Sequence, residues 1–247
     1  MRPLSACGSV RLRRWCVHNS GVSDYLLVHG GFGVGWVWDG LVERLEHAGH
    51  TVHVVDQLPS VGTDSSSLGD LCADACHVRR MLDDIAEPTV LVCHSYSGMV
   101  ITELADHPNI RHSVYVTALW PDRGQSALNL CGNTLPPVFT RRDEHSLAVI
   151  GDFELAWKAF CPDVDQDRAR AVLSRFVLQS YSSFTAPSTA PPRTHPTTYV
   201  IAEGETDASV AAQEATAAKA DVVIRLSGAH MVQISQPEAL AATLGRI

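Results

Sequence analysis

Apolar and polar positions alternate along this chain between short apolar runs and longer stretches with helical spacing. Tyr25-Leu-Leu-Val28 is a continuous apolar run, the pattern of a strand covered on both faces. From Gly35 to Ala48 the residues Trp38, Leu41, Val42 and Leu45 recur at the spacing of a helix, and Gly49 follows as a C-cap. Thr51 to Asp56 alternates as a strand and ends in the loop Gln57-Leu-Pro59. Ser65-Ser-Ser67 leads into a helix over about Leu68 to Ile85, stopped before Pro88. Val90-Leu91-Val92 is a second buried run; it turns through small and polar residues and resumes as an apolar helix at Met99-Val100-Ile101. His112 to Thr117 is a further strand, running into Ala118-Leu-Trp-Pro121, and Trp15 to His18 reads as a first short strand with Asn19-Ser-Gly21 as its turn. This strand–helix alternation predicts an α/β fold with a mostly parallel sheet flanked by helices.

The rhythm breaks between Pro121 and about Pro196. Pro136-Pro137 and Arg141-Arg-Asp-Glu144 are followed by helical stretches at Phe153–Phe160 and about Gln166–Gln179, then by an extended Ser/Thr/Pro-rich run, Ser182–Pro196. Residues 121–196 are therefore expected to form a small helical cap or lid inserted into a core made of 1–120 and 197–247. The core resumes with a strand at Thr197–Ala202, an Ala-rich helix at Val210–Ala220, a strand at Val222–Leu226, the loop Ser227-Gly-Ala-His230, and a final helix from Pro237. No internal repeat is present.

A length of 247 residues with 45% hydrophobic residues suits one large domain with a real core. No apolar stretch approaches the roughly 18–20 residues of a membrane span, and the N-terminus lacks the apolar run of a signal peptide. Seven cysteines at irregular spacing point to reduced thiols in the cytoplasm, not to a disulfide framework. Cys72 and Cys76 lie one helical turn apart, but no second pair completes a metal site, so no metal is expected. A net charge of −8 argues against nucleic acid as a partner. The basic cluster Arg11, Arg13 and Arg14 alternates with Leu12 and Trp15 and reads as the wet face of an edge strand. A small-molecule substrate is the expected partner, and the chain leaves a homodimer open.

Candidate chemistry centres on Ser95. A serine at the tip of a strand–turn–helix is the nucleophile-elbow arrangement, in which the turn exposes the hydroxyl at the top of the sheet. The usual pattern is Gly-x-Ser-x-Gly; here Cys93 and Ser97 stand at the glycine positions and Gly98 comes one place later. Cleavage by serine further needs a histidine base, a carboxylate to orient it, and N–H donors for the oxyanion. Of twelve histidines, His230 alone follows the last strand in a loop near the end of the chain. His94 is expected to pack beneath the site and His29 to act as a structural hydrogen-bonder. Glu203, Glu205 and Asp207 all follow the strand ending at Ala202; Gly204-Glu-Thr-Asp207 reads as a tight loop presenting Asp207, with Glu205 as the alternative acid and Asp122 third. The oxyanion donors are expected to be the N–H groups of Tyr96 and of Gly31 in His29-Gly-Gly-Phe32. That loop lacks both the phosphate-cradle spacing and a dinucleotide fingerprint.

The segments His29-Gly-Gly-Phe-Gly-Val-Gly-Trp-Val-Trp38, Leu45-Glu-His-Ala-Gly-His50, Cys93-His-Ser-Tyr96 and Ser235-Gln-Pro237 together resemble the α/β-hydrolase superfamily, in particular the branch of plant methylesterases, hydroxynitrile lyases and their bacterial esterase-like relatives. The likeness runs through nearly all of the core and is weak across the cap. It implies an eight-stranded hydrolase sheet with a small helical cap, no cofactor, Ser95, Asp207 and His230 as the triad, and Gly31 and Tyr96 as the oxyanion hole. Lyases of that branch carry threonine where this chain has Gly30 and lysine where it has Met231, so both positions lean toward ester hydrolysis. Cys93 and Ser97 crowd the elbow and leave an elimination or ring-forming reaction on the same site as the alternative; a binding protein that keeps the fold without turnover is the third reading. A small, mostly apolar ester, thioester or lactone is the expected substrate, with Phe32, Trp120, Trp157, Phe160 and Met231, and Phe176 in the lid, as candidate pocket residues.

Overall fold

The computed structural model describes residues 21–247. The strand expected at Trp15–His18, most of the turn behind it and the arginines 11, 13 and 14 lie outside the described residues. The core elements are β1 (Asp24–Val28), α1 (Asp39–His47), β2 (Thr51–Val54), β3 (Val61–Gly62), α2 (Leu71–Asp84), β4 (Thr89–His94), α3 (Ser97–Thr102) and β5 (Ile110–Val116). The chain then makes α4 (Ala127–Leu130), β6 (Phe139–Arg141), β7 (Ser146–Val149), α5 (Phe153–Phe160), α6 (Gln166–Leu173), β8 (Leu178–Ser180) and α7 (Tyr181–Thr185). It returns through β9 (Thr197–Ala202), α8 (Asp207–Ala217), β10 (Val222–Leu226), α9 (Val232–Ser235) and α10 (Pro237–Leu244).

Six strands form one parallel sheet in the order β10-β9-β5-β4-β1-β2. Successive residues of β1 and β4 enter opposite layers. Tyr25, Leu27, Val90 and Val92 pack with α1 and α10, whereas Leu26, Val28, Leu91 and Cys93 pack with α2 and α3. All of these side chains are buried, which is why both runs read as unbroken apolar stretches. From β1 the order runs outward to β2, then crosses back to β4 and proceeds to β5, β9 and β10. The strand order thus reverses between β1 and β4, and the crevice beyond their C-terminal ends is where open α/β sheets place their sites.

The inserted segment departs from the helical expectation. Besides α4 to α7 it contributes β6, β7 and β8 to a four-stranded antiparallel sheet whose remaining strand is β3 of the core. The helix expected over Gln166–Gln179 stops at Leu173, because the Val177 N–H is taken by the carbonyl of Phe32 at 2.9 Å and the chain then enters β8.

Several imidazoles are wholly or partly buried in neutral form. His29 is fully buried, and at the opposite end of the sheet His112 meets Thr198 Oγ1 at 2.9 Å while His195 meets Ser113 Oγ at 2.7 Å. Burial pushes each of the three down from 6.5 to about 4. Between those values the unfolded chain binds protons that the folded chain does not. The stabilisation is complete above about 6.5 and is lost as pH falls toward 4. Asp74, raised by burial to about 6, works in the opposite sense over the same window, but three groups outweigh one. The urea midpoint is therefore expected to fall between pH 7 and pH 4.5, and His195→Gln to make that dependence shallower. A midpoint constant over this range would contradict neutral burial of these rings.

Candidate active site

β4 delivers Ser95 to the crevice in left-handed backbone conformation, with φ 55°. A non-glycine residue there is strained and needs its neighbours to hold it. Main-chain bonds supply this: the Ser95 N–H donates to Val116 O at 3.3 Å, and the Ser95 carbonyl accepts from Gly98 N–H at 3.1 Å and Leu119 N–H at 3.0 Å. Ser97 is fully buried beneath the turn; its Oγ accepts from the His94 N–H at 3.0 Å and lies 2.9 Å from the Val28 carbonyl oxygen. Its hydroxyl therefore ties β4 to β1 and does not line the crevice, contrary to the sequence expectation. Cys93 is likewise buried in the core, on the α2 and α3 side of the sheet. Gly98 is the glycine the turn cannot lose, because a Cβ on it would lie 1.8 Å from Leu119 O. Gly30 is constrained in the same way, since a Cβ would stand 2.9 Å from His94 Nδ1 and 3.0 Å from Ser95 Cβ.

His230 reaches Ser95 from the loop after β10. Its Nε2 lies 3.0 Å from Ser95 Oγ and its Nδ1 lies 3.0 Å from Glu205 Oε1. The carbonyl of His230 accepts from His94 Nε2 at 2.9 Å and from Thr117 Oγ1 at 3.1 Å, and the adjacent Met231 N–H donates to Phe160 O at 2.9 Å. The loops after β9 and β10 meet main chain to main chain, with Gly204 N–H donating to Gly228 O at 2.9 Å.

The carboxylate on His230 is thus Glu205, which the sequence placed second to Asp207. The start of α8 bears on the choice. Thr206 caps α8 by accepting the Ser209 N–H, so Asp207 already belongs to the helix backbone. Glu205 is the residue left at the tip of the turn. Asp122 pairs at the surface with Lys219 at 2.7 Å, and Glu203 lies beside Arg225 at 3.8 Å.

Across the crevice, the loop after β1 brings Gly31 beside Tyr96. Among the described residues, no protein acceptor takes the main-chain N–H of either one. His29 stiffens this loop: its Nε2 accepts the Leu58 N–H at 3.0 Å, so its Nδ1 carries the proton and donates to Gly30 O at 2.9 Å. His94 packs its ring against that of His230, with centroids 4.9 Å apart, and burial holds it well below its usual value, so it donates from Nε2 as a neutral ring.

A cavity of about 650 Å³ opens over Ser95, with Phe32, Trp120, Phe160, Phe176 and Met231 in its walls. Trp157 is not among its walls; its Nε1 donates to Val164 O at 2.9 Å and its ring stacks on Phe153, which makes it part of the insert's own packing. Sequence reasoning missed Phe139 and Phe184 from the insert, Tyr199 from β9 and the α8 face from Ser209 to Thr216. The α8 face carried no signal, since an Ala-rich helix shows little contrast between its sides.

Residues 25–243 match the alpha/beta hydrolase family. The chain belongs to this family. Among curated relatives it is 35% identical over 141 residues to the carbendazim hydrolyzing esterase of Nocardioides sp. strain SG-4G, a match covering 55% of each chain. It is 34% identical over 116 residues to methylesterase 9 of Arabidopsis thaliana, covering 41% of this chain and 42% of that one. The matched region thus spans about half the length of these relatives. The solved structure of a pyrethroid hydrolase from Sphingobium faniae superposes with a TM-score of 0.75 over 91% of this chain and 96% of that one, at 23% identity. This hydrolase family member has no helix, among the described residues, that is long and apolar enough to cross a membrane.

Gly98→Ala is the substitution this elbow should tolerate least. The clash is with main chain, not with a flexible side-chain end, so overpacking of about 1–3 kcal/mol or more is expected. Thermal unfolding should show a melting temperature lower by several degrees, or the variant should not fold.

Proposed function

We propose that the protein is a serine hydrolase cleaving a mostly apolar carboxylic ester through an acyl-enzyme, with Ser95 as nucleophile, His230 as general base and Glu205 as the acid. The observation that carries this reading is the continuous hydrogen-bonded path from Ser95 Oγ through both ring nitrogens of His230 to Glu205 Oε1, at 3.0 Å for each step. Glu205 accepting at Nδ1 selects the tautomer whose Nε2 can take the serine proton, and its charge stabilises the imidazolium that follows. Ser95 then attacks the carbonyl carbon, and the negative charge develops on the carbonyl oxygen. The N–H groups of Gly31 and Tyr96 are the donors proposed for that oxygen; such donors are each worth roughly 10²–10³ in rate. His230 returns its proton to the leaving alkoxide, and a water activated by the same ring releases the acid.

The substrate class follows from the cavity. Its walls are dominated by aromatic and aliphatic side chains, and about 650 Å³ leaves room for an ester with a bulky apolar arm. The names of the two curated relatives, both esterases, agree with ester cleavage. A lyase working in this site would gain from a cation beside His230, and the neighbouring Met231 is buried and neutral. The five described cysteines are free thiols, which suits the proposed cytoplasmic setting.

Ser95→Ala should abolish hydrolysis of p-nitrophenyl esters and reaction with a fluorophosphonate, while wild type labels at Ser95 alone. An active wild type that resists the label would sink the acyl-enzyme. Glu205→Gln should lower kcat by about 10³–10⁴, the scale of losing the orienting carboxylate, and Asp207→Asn should leave it within about twofold. The reverse ranking would restore Asp207 as the acid.

A further inference from the structure

Behind the proposed oxyanion donors lies a carboxylate that the Ser95–His230–Glu205 path does not use. Asp74, on the inner face of α2, is fully buried, and a buried charge without a cation is costly. Its two oxygens serve two different segments. Oδ1 accepts the Ser60 N–H at 2.8 Å, and Oδ2 accepts the Tyr96 hydroxyl at 2.9 Å. Burial pushes the Asp74 carboxyl up to about 6, and burial with the Asp74 charge beside it pushes the Tyr96 phenol well above its usual value, so the phenol remains the donor.

The polar path continues to the second donor. Gln179 of β8 donates from Nε2 to Ser60 Oγ at 3.0 Å and to Ser183 Oγ at 2.6 Å. Its Oε1 is buried without a partner among the described residues and faces Gly31, where an added Cβ would stand 3.2 Å away. One buried path therefore backs both proposed oxyanion residues, Tyr96 through Asp74 and Gly31 through Gln179. Stability alone gives no reason for a charge here, since apolar groups of similar volume often replace buried ionic ones without loss. Position gives a reason. Tyr96 follows the strained Ser95, and the tilt of the peptide between them sets where the Tyr96 N–H points.

We infer that Asp74 is a positioning residue of the oxyanion hole: by anchoring the far end of the Tyr96 side chain, it fixes the Tyr96 main-chain N–H where a developing oxyanion needs it. The inference rests on the serine-hydrolase reading. It predicts a loss confined to the transition state, because the clamp touches no part of the bound ester.

Tyr96→Phe, Asp74→Asn and the double variant test it with p-nitrophenyl butyrate and a fluorophosphonate. Each single variant should lose about tenfold or more in kcat with KM within about twofold, below the roughly 10²–10³ for deleting a donor outright. The double variant should be no worse than the weaker single one, because both cut the same contact. Labelling of Ser95 should slow in parallel, with every rate taken at a temperature where circular dichroism shows the variant fully folded, because Tyr96→Phe takes a donor from a buried carboxylate and lowers the melting temperature. Should Asp74→Asn fail to fold, Tyr96→Phe decides alone. An active wild type whose variants keep kcat, lose only KM, lose kcat in step with folding, or show multiplying losses would overturn the inference and leave the hydrolase reading intact. A wild type inert toward both ester and fluorophosphonate would remove that reading and this inference with it.

Discussion

The site depends on one abrupt reversal of the main chain, where a strand buried on both faces must become a helix across two residues. Ser95 makes that reversal at φ 55°, and it does not stand alone. Phe32 beyond β1 and Thr117 beyond β5 also hold positive φ, at 61° and 44°. All three strained residues sit at the C-terminal ends of adjacent strands, around the same crevice. Strain of this kind costs about 1–3 kcal/mol per residue and persists only where the surroundings over-determine it. The apolar layers on both faces of β1, β4 and β5 provide that rigidity, and the carbonyls of Val116 and Ser95 complete it at the turn.

Much of this was legible in the sequence because it is written locally. Tyr25–Val28 and Val90–Val92 announce double-sided burial by being unbroken, and the helical spacing from Trp38 to Leu45 fixes α1 to within a turn. Ser95 and His230 stood out for the same reason: each occupies the short loop after a clear strand, and the fold brings their side chains to 3.0 Å. The carboxylate was not legible in this way. Glu203, Glu205 and Asp207 share one loop, and the choice among them turns on where α8 begins and on the contact of Gly204 with Gly228 in the next loop. That contact is made with Gly228, distant in sequence from all three carboxylates, and leaves no local pattern.

The insert was harder still. Strands of three or four residues carry too few positions for alternation to show, and β8 pairs with β3, more than a hundred residues earlier. Ser97 illustrates a different limit. From the sequence, its hydroxyl at a glycine position suggests altered chemistry at the elbow; in the fold it is consumed in holding β4 against β1. Whether a polar side chain serves chemistry or scaffolding depends on which way a turn faces, and residue type alone does not encode that.

The pairing of β3 with β8 bears on how molecules reach the crevice. Val61 and Gly62, from the floor of the fold, share ladder bonds with Gln179 and Leu178 from its roof, and Ser180 N–H adds a bond to Ser60 O at 2.7 Å. A roof stitched to the floor along a β-ladder cannot swing away as one piece without tearing that seam. Any widening of the crevice must then leave β8 in place on β3 and come from the parts of the insert outside that seam.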